Sequence, residues 1–186
     1  MDKQASHVER IRSLDWQELR ELWSAIKEQD TPEWPPGKAF EHLVLRAFEI
    51  DGADVRWPYQ VSRVGSVELP KALEQIDGVV YAAGLSCLVE SKDTTNEVNV
   101  EPIAKLRNQL LRRPSPAVGL LFSVAGFTSP AQVLAGFLAP QTILLWGGDD
   151  VEYCLRNERI CDPLLRKYRA CVEEGRPDHI LEEDTQ

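Results

Sequence analysis

Residues 75–92 read QIDGVVYAAGLSCLVESK, and this stretch decides the fold. Two apolar runs flank Ala82-Ala83-Gly84, the pattern of two strands joined by a tight turn. With the turn at Ala83-Gly84, Asp77 stands six residues before Ala83 and Glu90 six residues after Gly84. Equal arms place the two carboxylates opposite each other, with Cβ atoms roughly 4.5–5.5 Å apart. Side chains alternate along a strand, so Glu90 and Lys92 share one face and Ser91 takes the other. Two carboxylates so close repel each other unless positive charge lies between them. Hard oxygen ligands suit Mg²⁺, with Mn²⁺ as a substitute. Lys92 can reach the same spot, where an ammonium orients a water or stabilises charge on a phosphate. Plainer readings exist: an Asp before Gly is often a turn residue, and Glu90-Ser91-Lys92 can be a solvated strand end. Cys87-Leu88-Val89, immediately before, mark a central strand and weigh against the second.

Upstream, residues 13–29 predict a helix. Asp15 and Glu18 make a capping box, and Leu14 and Leu19 a hydrophobic staple. Leu19, Leu22, Trp23 and Ile26 form its apolar stripe. Asp30–Gly37 carries three prolines and reads as linker. A second helix is expected over Lys38–Glu49. On its wheel Glu41 lies at the edge of the apolar face, and His42 points the other way, to solvent. Val55, Trp57, Tyr59 and Val61 alternate as a half-buried strand.

Downstream, Pro102 opens a helix to about Arg113 with Ile103, Leu106 and Leu110 inward. Lys105 and Arg112 fall on its outer, solvated face. Ala117–Val124 reads as a strand buried on both faces. A helix over Ser129–Leu138, a strand over Thr142–Trp146, a short helix capped by Asp149-Asp150 and a terminal helix with an acidic tail complete the chain. The first three strands suit antiparallel pairing, and the crossover helix makes the fourth parallel to the third. The expected fold class is α/β, a mixed sheet flanked by helices with an N-terminal helical extension. The expected divisions are 1–36 (extension and linker), 37–155 (core domain) and 156–186 (C-terminal helix and tail).

The trio Asp77 and Glu90-x-Lys92 resembles the PD-(D/E)xK nuclease motif. Gly37-x-x-Phe40-Glu41, the Gln75-Ile76-Asp77-Gly78 entry and Gly119-Leu-Leu-Phe-Ser-Val-Ala-Gly-Phe-Thr-Ser-Pro-Ala resemble the Mrr-like (type IV) restriction endonuclease branch. The resemblance covers about residues 37–155. It implies a restriction-endonuclease-like fold and Mg²⁺-dependent hydrolysis of DNA phosphodiesters in defence against foreign DNA. By position, Asp77, Glu90 and Glu41 would ligate the metal and Lys92 would assist the attacking water. Many members carry Gln where Glu90 stands, and Ile76 replaces the motif proline. A RecB-type Gln-x-x-x-Tyr is absent, since Arg113 follows Gln109 at that spacing. Gln109 and Arg107 are candidate substrate-binding residues. Arg107 reads equally as a phosphate donor or as a stem lying over the core. The alternative function is an inactive module of the same fold that binds nucleic acid or a protein partner.

Composition tests that expectation. The chain has 186 residues, 43% of them hydrophobic, enough for one packed domain. Its 21 Lys and Arg against 30 Asp and Glu leave a net charge of -9. A protein gripping DNA through bulk positive charge is basic. The deficit is spread evenly, -3 in each of 1–36, 37–150 and 151–186. Three acids of the core are the proposed ligands, whose charge a cation offsets. Weak intrinsic DNA binding, with a homodimer or a targeting protein as helper, is therefore expected. No apolar run approaches the ~20 residues of a membrane span, and no secretory core precedes Arg12. The four cysteines lack C-x-x-C spacing, which disfavours zinc. A cytoplasmic setting is the default expectation. Arg156, Arg159, Arg166, Lys167 and Arg169 make a locally basic stretch, read first as a solvated helix face and second as a DNA-backbone track.

Overall fold

The computed structural model describes residues 9–181 except 58, 62, 65–66, 69–73 and 115, and only the backbone along 58–74. His7 and the acidic tail at 182–186 lie outside the described residues. Helices α1 (Trp16–Lys27) and α2 (Lys38–Ile50) precede strands β1 (Asp54–Arg56), β2 (Tyr59–Val61), β3 (Arg63–Val64), β4 (Val67–Glu68), β5 (Glu74–Ile76), β6 (Gly78–Ala82) and β7 (Leu85–Lys92). Then come α3 (Val100–Leu110), β8 (Ala117–Ser123), α4 (Ser129–Gly136), β9 (Thr142–Trp146), α5 (Gly148–Arg156) and α6 (Cys161–Glu174).

The main sheet has the order β1-β6-β7-β8-β9. Its first three strands are antiparallel, and β7, β8 and β9 are parallel. The hairpin turns at Ala83 (φ 50) and Gly84 (φ 79), both left-handed, as a two-residue turn requires. The alternation at 55–61 is one strand by pattern but two by structure. β1 ends at Arg56, and β2 leaves the main sheet to pair with β5.

Alternation along β7 divides the core. Cys87 and Val89 pack with α1, α2, α5 and α6, around Trp23, Phe40, Phe48 and Leu164. Leu88 packs on the opposite face with Ile103, Leu106 and Leu110 of α3 and Ala131 of α4. Asp15 caps α1 with the full capping box, its side chain and that of Glu18 each 2.9 Å from the other's backbone nitrogen. At the end of α2, Asp51 Oδ2 accepts the amides of Ile160 and Cys161, both at 2.7 Å. Two amides at the start of α6, orphaned by helix geometry, are satisfied there.

Three expectations fail here. His42 is buried, its ring centroid 5.4 Å from Trp34 and 5.0 Å from Trp57. The linker folds back over that side of α2 and supplies the cover that a lone helical wheel lacks. Asp149-Asp150 do not cap α5 from outside. They occupy its first turn, with Gly147 at the cap position and its amide donating to Asp150 Oδ2 at 3.1 Å. Lys167 is neither solvated nor part of a track. It is fully buried against Asp150, 2.8 Å away. Among the described residues no helix is long and apolar enough to cross a membrane.

Candidate active site

Pairing between β6 and β7 runs from Ala82↔Leu85 to Gly78↔Val89. One further step brings Asp77 level with Glu90, the register that equal hairpin arms predict. Asp77 itself sits in a bend between β5 and β6, just outside the ladder. Freed from the pleat, its Oδ2 accepts the Ser91 amide and the Ser91 hydroxyl, both at 2.7 Å. Ser91, assigned to the other face, is thus the residue that holds the motif aspartate.

Glu90 shares the face of Leu88, the one covered by α3, and is 2% exposed. Its Oε1 accepts from Lys92 Nζ at 2.6 Å and from Lys105 Nζ at 2.8 Å. Its Oε2 is buried and has no hydrogen-bond partner among the described residues. Glu41 arrives from α2, on the opposite face of the sheet, and is also buried. Lys38 Nζ donates to its Oε2. The end of α2 that carries Glu41 bears the positive pole of the helix dipole, which favours a carboxylate. Gly78 permits the approach: a Cβ there would stand 2.5 Å from Leu45 Cδ2 of α2.

Charge crowding is visible in the acidities. Burial raises Glu41 to about 7, and the charges of Asp77 and Glu90 push the same way against the Lys38 contact. Burial and the Glu90 charge raise Asp77, against the two Ser91 hydrogen bonds. A buried carboxylate held above its ordinary value destabilises the metal-free fold at neutral pH. The folded protein binds this proton more tightly, so stability falls as pH rises from 4.5, the ordinary Glu value, through about 7. Glu41→Gln removes that cost. In chelator at pH 8, its melting temperature is expected above that of wild type, the gap closing as pH falls towards 4.5. A wild type that melts higher at pH 8 contradicts the burial argument.

The donor set is all oxygen, which suits Mg²⁺. Glu90 Oε2 offers an uncommitted buried acceptor, and the mutual repulsion of the acids is of the kind a cation relieves. Among the described residues no three His, Cys, Asp or Glu side chains are gathered as a ready cage. The reason is positional: Glu41 and Glu90 come from opposite faces, with Asp77 at the sheet end, and lysines stand on two of the acids. What fits the ion is the chemistry of the donors, all carboxylate oxygen, with one of them, Glu90 Oε2, buried and unbonded among the described residues.

Lys105 and Lys38 were missed from sequence. Lys38 carried an i, i+3 signal to Glu41. Lys105 was placed on the outer face, yet its stem spans from that flank to Glu90. Arg107 is exposed on α3. Gln109 is 3% exposed and lies one turn beyond Lys105, about 6 Å further along the axis. Because α3 runs back from the site towards the start of β8, Gln109 is carried away from the carboxylates and not brought to them. A cleft of about 310 Å³ is lined by Gln29, Asp30, Trp34, Gly37 and Asp93 among others, the last two being chain neighbours of Lys38 and Lys92.

A family model described as restriction endonuclease (Mrr_cat) matches residues 35–155. A search of curated proteins gives no match. Among solved structures, the chain is similar to a crystallised protein of unknown function at 17% identity and TM-score 0.46, over 73% of this chain and 77% of that one. It is also similar to the MspJI restriction endonuclease in complex with a 27-mer oligonucleotide, at 21% identity and TM-score 0.44. That likeness covers 84% of this chain and 35% of MspJI.

Proposed function

The chain belongs to the restriction endonuclease family, and from that premise we propose that it is a divalent-metal-dependent endonuclease cleaving DNA phosphodiesters. One observation carries the reading: Asp77 and Glu90 stand level at the sheet end, with Glu90 Oε2 uncommitted and Lys92 against the same carboxylate. Asp77 and Glu90 would hold the cation, with Glu41 adding a third carboxylate. When bound, Mg²⁺ or Mn²⁺ lowers the pKa of a water and polarises the scissile phosphate.

The chain's own residues do the rest. Ser91 fixes Asp77 Oδ2, so its second oxygen is the one free to face the cation. Lys92 Nζ orients the attacking water and stabilises charge growing on the phosphate. Burial of Glu41 and Glu90 keeps bulk water off these groups, which strengthens each interaction. Arg107, exposed on α3, would take a flanking phosphate with a permanently charged fork. Cutting both strands calls for two such sites, so we read the working form as a homodimer or a complex with a targeting protein. The net charge of -9 supports a helper, and defence against foreign DNA in the cytoplasm is the setting this chemistry suits.

The test is supercoiled plasmid incubated with Mg²⁺ or Mn²⁺ and, in parallel, with EDTA. Nicked and linear products are expected with metal, none in EDTA, and recovery on adding excess metal. Intact plasmid in every condition, across unmodified and methylated DNA, would favour a binding module that keeps the fold without turnover.

A further inference from the structure

Among the described residues, three ammoniums stand on the site's acids: Lys38 on Glu41, and both Lys92 and Lys105 on Glu90. With all three acids ionised, as cation binding requires, three carboxylates against three lysines make a charge-balanced centre. A divalent cation added there leaves a surplus of two positive charges. The surplus is sharpest at Glu90 Oε1, where two ammoniums share one oxygen at 2.6 and 2.8 Å. One of them becomes redundant. Lys92 is the more enclosed, its side chain 30% exposed, and it rises from the strand beside Glu90. Lys105 comes from the flank of α3, and its side chain is 51% exposed. Being half in solvent already, it can swing outward at small cost.

Resting on metal-dependent cleavage as read above, we propose that Lys105 is a displaceable counter-ion of Glu90 that transfers to a DNA backbone phosphate once a divalent cation is bound. It holds the carboxylate ready in the empty site and becomes a DNA contact in the loaded one. Metal entry and DNA binding are thereby coupled, which an acidic chain needs more than a basic one.

The test uses the full chain, with Lys105→Ala and Lys105→Arg. Calorimetric titration with Mn²⁺ alone is expected to show Lys105→Ala binding about threefold to tenfold tighter, the scale of one screened unit charge. Binding of a short DNA duplex in Ca²⁺ should weaken in the same variant, with a salt slope smaller by about one. Lys105→Arg should keep the wild-type slope. A merely structural lysine would lower metal affinity or leave it alone. Unchanged or weaker Mn²⁺ binding by Lys105→Ala, or an unchanged salt slope, overturns the proposal. If wild type binds Mn²⁺ and cuts DNA in that case, only this proposal falls. If wild type takes up no Mn²⁺, it falls together with the metal-dependent reading.

Discussion

Lys92→Ala is expected to slow plasmid cleavage by about 10²–10³-fold, the usual cost of removing one donor aimed at developing charge. At 1.36 kcal/mol per decade this is about 2.7–4 kcal/mol of transition-state stabilisation. The fold should survive, because Lys105 still stands 2.8 Å from Glu90 Oε1 and no buried carboxylate oxygen is newly stranded. Melting temperature close to wild type and retained Mn²⁺ binding by calorimetry would separate chemistry from folding. Lys92→Arg keeps the charge but not the compact ammonium and should recover only part of the rate. Cleavage by Lys92→Ala at the wild-type rate would remove Lys92 from the mechanism.

Lys167→Ala should unfold the protein far more readily, with no direct effect on the chemistry. Lys167 is completely buried, 2.8 Å from Asp150 Oδ2, donates also to the His179 carbonyl, and lies 5.2 Å from the Trp146 ring centre. Asp150 in turn accepts the Leu181 amide at 3.1 Å on Oδ1. Removing the lysine strands a buried carboxylate, at about 3–5 kcal/mol. For a chain of this length each kcal/mol shifts the melting temperature by about 2–4 °C, so a fall of roughly 6–20 °C is expected. Lys167→Met with Asp150→Asn, which discards both charges, should recover part of the loss. Thermal unfolding by circular dichroism measures all three. A single variant that melts within a degree of wild type shows that the pair is not the clamp described.

How much of this could be read in advance depended on what each residue answers to. The register of Asp77 against Glu90 was legible because a two-residue turn fixes it and because strands have period two. The parallel pairing of β7 with β8 followed from the crossover helix between them, and α1 announced itself through Asp15 and Glu18. What escaped was governed by neighbours distant in sequence. His42 is polar on its own wheel and buried only because Trp34 and Trp57 close over it. Lys167 belongs to a basic run in sequence, and only the packing of α6 beside β9 brings it to Asp150. Lys105 keeps the exposed flank that its wheel position gives, and only its pairing with Glu90 escapes, since a Cα direction says little about where a flexible four-carbon stem ends. Ser91 keeps the face opposite Glu90 that alternation gives it, and its hold on Asp77 is invisible to alternation because Asp77 has already left the ladder.

Asp51 gives the family match a different meaning. The matched region stops at 155, yet Asp51, at the end of the helix carrying Glu41, is satisfied by amides at 160 and 161. Leu164 and Leu181 are fully buried in the same core as Trp23, Phe40 and Phe48. The segment that the family model matches is therefore smaller than the body packed around one core. A fragment trimmed to the shared segment keeps every proposed site residue but exposes the apolar face that α1 and α6 cover, and leaves Asp51 with two lost donors. Descent and stability draw the boundary of this protein in different places, and the residues that hold the proposed chemistry in register lie partly outside the segment that identifies it.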